Sequence, residues 1–307
     1  MKIKIGTRGS KLALWQAHHV QDLLEQQGAE TEIVTIQTKG DKILDVSISK
    51  IGSKGVFTQE IEDQLASGTI DIAVHSAKDM QSELPVGFEL IAFGKREKVN
   101  DVLISNNKEF SLEDDNLIIG TSSTRRIAFL KKYYPNIKTV PIRGNLQTRI
   151  RKMEEGQCDA LFLAFAGVNR MGYNDTIVHE LDHKIFIPAV GQGSIAIEVY
   201  KSLGEEKKGF VRKHVNHELS ETTILAERVY LKKMQGGCSV PIFGLAYINN
   251  DEVILNGGII SLDGTDIIVS ETKSSINSPE TAGEELGNYI LNNGGTEILK
   301  EIRKHQQ

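Results

Sequence analysis

Two groups of residues in this chain have the types and spacing to do chemistry: arginines gathered at strand ends, and an acid beside an amine. Six of the eleven arginines fall between Arg125 and Arg170, although the chain as a whole carries a net charge of −5. Arg125 and Arg126 occupy the first turn of a predicted helix, just after the loop Gly120-Thr-Ser-Ser123. That end of a helix is already positive, so two arginines there are unfavourable unless an anion is shared between them. Arg143 directly follows a strand in Pro-Ile-Arg-Gly-Asn, Arg149 lies in Leu-Gln-Thr-Arg, and Arg170 follows the turn-like Ala-Gly-Val-Asn. Arg8 occupies a matching loop near the N-terminus. Forked guanidinium groups suit carboxylates and phosphates, and α/β proteins place ligands at strand ends. A polyanion site is the reading these positions favour, whereas Arg151 and Lys152 fit a solvated face.

The second group is His75-Ser-Ala-Lys-Asp79, at the end of the predicted strand DIAVH. A carboxylate held ionised by a neighbouring ammonium could act as a general acid and base. The same residues also read as a turn aspartate beside a surface lysine. Of the two cysteines, Cys158 in GQCDALFL reads as an inert core thiol. Cys238 sits in MQGGCSVPIFG, where Gly236 and Gly237 open backbone angles and Pro241 restricts its neighbour. Both a buried filler and a point of permanent attachment fit that bend. No C-x-x-C spacing suggests a metal, and GSKG (Gly52–Gly55) lacks the spacing of a nucleotide-binding loop.

The elements that must position these residues alternate in type. Strands are predicted at Lys2–Ile5, Thr31–Gln37, Asp71–His75 and Leu117–Gly120, and in KTVPI and DALFLAF. Helices are predicted from Ser10 to Gln27 with Gly28 as the stop, and in FTQEIEDQLASG, STRRIAFLKKYY and NLQTRIRKMEEG. Such alternation implies an α/β protein with largely parallel sheets. Ile5-Gly-Thr-Arg-Gly-Ser10 and Ile119-Gly-Thr-Ser-Ser-Thr124 echo one another, each leaving a strand and opening a helix, which suggests two similar lobes. From about Asn216 the texture changes to a long helix, three alternating strands with breaks at Asn249-Asn-Asp and Asp263-Gly, and two closing helices. This reads as a smaller α+β domain.

A length of 307 residues allows two or three domains. Hydrophobic and charged fractions of 39% and 25% are those of an ordinary globular protein, and the mild acidity gives no reason to expect nucleic acid. Two cysteines, no apolar leader in MKIKIGTRGS and no apolar run longer than Ala160–Val168 imply a cytoplasmic protein without a membrane span.

TRGSKLALWQA, IGSKGVFTQEIE, DIAVHSAKD, GTSSTRR, RGNLQTR, PAVGQGSIAIE and GGCSVPI, in that order, resemble the porphobilinogen deaminase (hydroxymethylbilane synthase) family over nearly the whole chain. The resemblance implies a transferase of tetrapyrrole biosynthesis. It would join four porphobilinogens onto a dipyrromethane primer held by a thioether to Cys238, then release hydroxymethylbilane by hydrolysis. Asp79 would be the catalytic carboxylate, hydrogen-bonding pyrrole N–H groups and stabilising a cationic azafulvene. Lys78, Ser123, Arg125, Arg126, Arg143 and Arg149 would hold carboxylates of primer and substrate. Arg8, Arg170, Lys50 and Lys54 would add contacts, with Ser10, Ser76, Thr121, Ser122, Gln192 and Gly193 lining the cleft. The implied fold is two periplasmic-binding-protein-like lobes with mainly parallel sheets, residues 1–94 with 194–214 and residues 100–188. A C-terminal domain (216–307) would bear the cofactor, with hinges at 94–100 and 188–193; the family is usually monomeric and needs no metal. Gln81 stands where the family usually has proline, Gln59 where lysine is common, and Lys98 where an acid is often found. The alternative from the residues alone is a non-catalytic two-lobed module binding a small carboxylate.

Overall fold

The computed structural model describes residues 1–42, 58–114, 116–237 and 240–305. Lys50, Lys54 and Cys238 lie outside them. Strand β1 (Lys2–Arg8) leads into helix α1 (Lys11–Glu25), and Ser10 caps α1 by accepting the Ala13 N–H at 3.3 Å. β2 (Glu30–Ile36), the one-turn α2 (Lys39–Lys42), α3 (Gln59–Ala66), β3 (Ile72–Ser76) and β4 (Phe88–Phe93) follow. The chain then enters β5 (Asp101–Ile104), β6 (Ile118–Gly120), α4 (Thr124–Tyr133), β7 (Lys138–Val140) and α5 (Leu146–Glu154). Next come β8 (Ala160–Ala164), α6 (Phe165–Arg170) and β9 (Ile177–Glu180), and β10 (Ile195–Tyr200) returns to the first sheet.

The two sheets repeat one plan. Their strand orders are β2-β1-β3-β10-β4 and β7-β6-β8-β5-β9. In each, the first three strands pair in parallel, and the fourth pairs antiparallel with both neighbours. Four strands of each sheet therefore share a direction and one runs against them. β1 and β6, which carry the two echoing Gly-Thr loops, hold the same position in their sheets. The apolar alternation of β1 explains its placement, since Ile3 and Ile5 are fully buried beside Val20 and Leu24 of α1.

The odd strands β5 and β10 have no signature of their own in the sequence, and neither does α6. Arg170, expected after a turn, instead closes α6. Six residues are too few for a helical period to register. The close approach of Leu12 to Gly167, whose Cβ would lie 3.6 Å from the leucine Cδ2, is a tertiary fact.

Helices α7 (Glu205–Val215) and α8 (Glu218–Lys233) lead to an antiparallel sheet of β11 (Ile242–Asn249), β12 (Glu252–Ile260) and β13 (Ile267–Ser275). Helix α9 (Pro279–Ile290) packs on this sheet, and α10 (Thr296–Lys304) closes the described chain. Glu227 of α8 fastens this unit to the rest. Fully buried, it pairs with Arg96 at 2.5 Å and accepts the N–H groups of Gly191 at 2.7 Å and Ala246 at 2.8 Å. Among the described residues no helix is long and apolar enough to cross a membrane.

Candidate functional site

The site is built from strand ends and the segments that run between the two sheets. β3 ends in a single tight turn, Ala77–Asp79, which presents Lys78 half-buried and Asp79 exposed. The turn sits close because Gly191 has no side chain: a Cβ there would meet the Ala77 carbonyl carbon at 3.0 Å, and its φ of 74° is one that few other residues adopt. Gly193, at φ 94°, is tighter still, since a Cβ there would lie 2.5 Å from the Glu97 carbonyl oxygen. His75 of the same motif does not join the site; it is buried, with Nε2 3.0 Å from Glu198 Oε2.

From the other sheet, α4 begins with Ser123, whose hydroxyl accepts the Arg126 N–H. Arg125 and Arg126 in its first turn are 4% and 7% exposed, and they do share an anion. It is the protein's own. Asp101, fully buried at the start of β5, accepts from Arg125 Nη2 at 2.7 Å and from Arg126 Nη2 at 2.7 Å and Nε at 3.2 Å. Arg125 also donates to the Ile187 carbonyl at 2.9 Å, and Arg126 to the Phe162 carbonyl at 2.8 Å. An arginine at a helix N-terminus costs about 0.3–1 kcal/mol, whereas each hydrogen bond to a charged partner contributes about 1.5–3 kcal/mol. The internal pairing wins. Burial pushes the Asp101 carboxyl up, but Arg125 and Arg126 together outweigh it and hold it well below the usual carboxylate range.

Gln192 carries this network across to the Asp79 turn. Fully buried, it donates from Nε2 to the Val99 carbonyl at 2.7 Å and to Asp101 Oδ1 at 3.0 Å, while its Oε1 accepts from Lys78 Nζ at 3.3 Å. Only this orientation of the amide satisfies two acceptors on one side and an ammonium on the other. Lys78, Gln192, Asp101 and the arginine pair thus form one chain of contacts. Asp101 escapes a reading of the sequence because a single aspartate before an apolar tripeptide has no pattern. Glu227 and Arg96 escape it for the same reason.

The remaining predicted residues divide clearly. Arg149, at α5, donates from Nε to the Gly144 carbonyl at 2.8 Å and feels Arg126, Asp79 and Arg143, so these converge on one region. Burial and then repulsion from Arg126 lower Lys78 to about 8, and burial with Arg126 and Arg143 lowers Arg149 to about 10. Arg170 donates to the Gly193 carbonyl at 2.7 Å and lies 5.4 Å over the Trp15 ring, bridging α6 to α1. Arg8 ends β1, Ser10 caps α1, and Ser76 accepts from Gln16 at 2.9 Å. Thr121 accepts the Ser123 N–H at 3.2 Å, and Ser122 donates to the Ile142 carbonyl at 3.1 Å. Cys158 is buried, and burial pushes its thiol up to about 11, as an inert core thiol requires. Among the described residues no cluster of three or more His, Cys, Asp or Glu side chains could hold a metal.

Chemically, the half-buried cations Lys78, Arg143 and Arg149 lie near one exposed carboxylate, in a region short of negative charge. A polycarboxylate would relieve the repulsion on Lys78 and Arg149. The pH dependence follows with a definite sign. Lys78 is ammonium below about pH 8 and loses its charge above it, while a bound anion favours the charged form. Binding of citrate, as a probe polyanion, is therefore expected to weaken as pH rises from 7 to 9. In Lys78→Met that part of the pH dependence should vanish; a profile unchanged by the substitution would place the titrating group elsewhere.

Comparison with known proteins agrees with this chemistry. Residues 3–207 match the family model described as "Porphobilinogen deaminase, dipyromethane cofactor binding domain", and residues 221–292 match "Porphobilinogen deaminase, C-terminal domain". The chain is 54% identical to a porphobilinogen deaminase of Desulfosudis oleivorans, covering 100% of this chain and 99% of that one. It is also 54% identical to the porphobilinogen deaminase of Cytophaga hutchinsonii, over 98% and 97% of the two chains. Among solved structures, the methionine binding protein MetQ aligns at a TM-score of 0.44 and 14% identity, over 69% of this chain and 89% of that one. With both domain models matched in order and relatives this similar from end to end, the chain belongs to the porphobilinogen deaminase family.

Proposed function

We propose that this chain is a hydroxymethylbilane synthase. It condenses four porphobilinogen molecules head to tail onto a dipyrromethane primer, releases ammonia at each step, and frees the linear tetrapyrrole by hydrolysis. The observation that carries this reading is the full-length identity of 54% to proteins named porphobilinogen deaminase. The half-buried cations near Asp79 support it independently, because every pyrrole of the substrate bears an acetate and a propionate.

The same cations fit the primer, whose carboxylates would be held by Lys78, Arg126, Arg143 and Arg149. When bound, the dipyrromethane supplies the pyrrole carbon to which the first substrate is joined. Asp79 does the proton chemistry. As the acid it protonates the departing amine, and as the carboxylate it accepts pyrrole N–H hydrogen bonds and faces the positive charge left on the ring. Arg125 and Asp101 keep Arg126 in place, and Gln192 does the same for Lys78. Arg8, Arg170, Lys50 and Lys54 add charge along the product's path. Ser10, Ser76, Thr121, Ser122, Ser123 and Gly193 shape its walls.

In this reading residues 1–94 with 194–214 form one lobe, 100–188 the other, and 216–307 the cofactor-bearing domain. The segments 94–100 and 188–193 are the hinges that let a growing product be accommodated. Cys238 is the attachment point, and the enzyme acts as a cytoplasmic monomer without a metal.

Intact mass spectrometry tests the proposal directly. The purified protein should exceed its sequence mass by two condensed pyrrole units and consume porphobilinogen, and Cys238→Ser should lose both properties. A wild-type mass equal to the sequence mass, with porphobilinogen untouched, would instead indicate a binding module without chemistry.

A further inference from the structure

Asp79 is exposed at the end of its turn, so the backbone that carries it sets where it points. Upstream, the sheet holds the turn: the Ala77 N–H donates to the Ser194 carbonyl at 2.9 Å. Downstream, Met80 is buried among Phe93, Ala196 and Ile224. The next residue, Gln81, makes contacts that no part of the chemistry above uses. Its Nε2 donates to Thr58 Oγ1 at 3.1 Å and to Glu62 Oε1 at 3.2 Å, at the start of α3. Its carbonyl accepts from Arg228 Nη2 of α8 at 2.8 Å. Glu62 is 2% exposed, so its bond to Gln81 is shielded from competing water. One side chain and one carbonyl thus tie the turn to two helices.

We propose that Gln81, with Glu62 as its acceptor, clasps the Asp79 turn to α3 and so fixes the direction of the carboxylate. Both are positioning residues for the reaction, and this rests on Asp79 carrying the proton transfers as read above. Misplacing a reacting group by an ångström costs up to about 100-fold in rate. With Met80 still packed, loss of the clasp loosens the turn by less than that, and a fall in kcat of about tenfold is the expectation.

The test uses the primer-loaded enzyme, with loading read from intact mass and folding from thermal unfolding. Gln81→Ala and Gln81→Met, the latter keeping the side-chain length without its hydrogen bonds, should each lower kcat about tenfold and leave KM within about twofold. Glu62→Ala should do the same, and the double variant Gln81→Ala/Glu62→Ala should be no slower than the slower single, since both remove the Gln81–Glu62 bond. Wild-type kcat per loaded molecule in both Gln81 variants, whatever their melting temperature, overturns the clasp. Losses that multiply in the double variant overturn it as well. Asp79→Asn separates the two claims. If that variant stays active, the role of Asp79 fails; if it is inactive while both Gln81 variants run at the wild-type rate, only the clasp fails.

Discussion

Asp79→Asn is expected to give a folded protein that consumes porphobilinogen roughly 10²- to 10⁴-fold more slowly, the range that a positioned general acid contributes. The substitution keeps the size of the side chain and takes away its proton and its charge. Asp79 is exposed, so no packing depends on it and the melting temperature should stay close to wild type. Ground-state binding should survive too, because in the proposed reading carboxylates are held by Lys78, Arg126 and Arg149 rather than by an acid. The loss should therefore fall on kcat, with KM little changed. Ammonia release under saturating porphobilinogen measures it, and a rate within tenfold of wild type would remove Asp79 from the chemistry.

Asp101→Ala is the second large effect, and it should appear in stability. The change leaves two guanidinium groups, 4% and 7% exposed, facing each other without the carboxylate between them. Breaking a buried ion pair by removing one partner costs about 3–5 kcal/mol, and urea titration should find the midpoint lowered by that amount with the slope unchanged. Asp101→Asn should lose less, since the amide oxygen still accepts. The pH dependence has a definite sign. The carboxyl is held below its ordinary value in the folded protein, so its contribution is complete above the unfolded pKa and fades only as pH falls toward the folded one. The gap between wild type and Asp101→Ala should thus be constant from about pH 5 to 8 and close only in acid below about pH 4. A gap that opened near neutrality would implicate another group.

Gln81 illustrates how a departure from a family pattern can be read physically. A proline, which the resemblance leads one to expect there, would stiffen the turn through its ring. The glutamine here lacks that restraint and makes hydrogen bonds to Thr58 and Glu62 instead.

The sequence by itself determined whatever depends on neighbours along the chain. Ser10 and Ser123 announce helices because a hydroxyl at that position satisfies a backbone N–H of the first turn, and both do so. The paired Gly-Thr loops forecast two sheets of one plan, because each is the exit of a strand into a helix. The demand for an anion shared by Arg125 and Arg126 was also legible, since a helix end has a known polarity. Which anion meets that demand was not: Asp101 lies 24 residues from Arg125 in the chain, and nothing in a lone aspartate marks the distance it will cross. β5 and β10 were hidden for a related reason. A short strand enclosed within a sheet is specified by the strands on either side of it, and β10 finds His75 and Phe93 as partners only after more than a hundred intervening residues have folded. Local chemistry writes the caps, the turns and the charge, whereas long-range pairing decides which charge is left for a ligand.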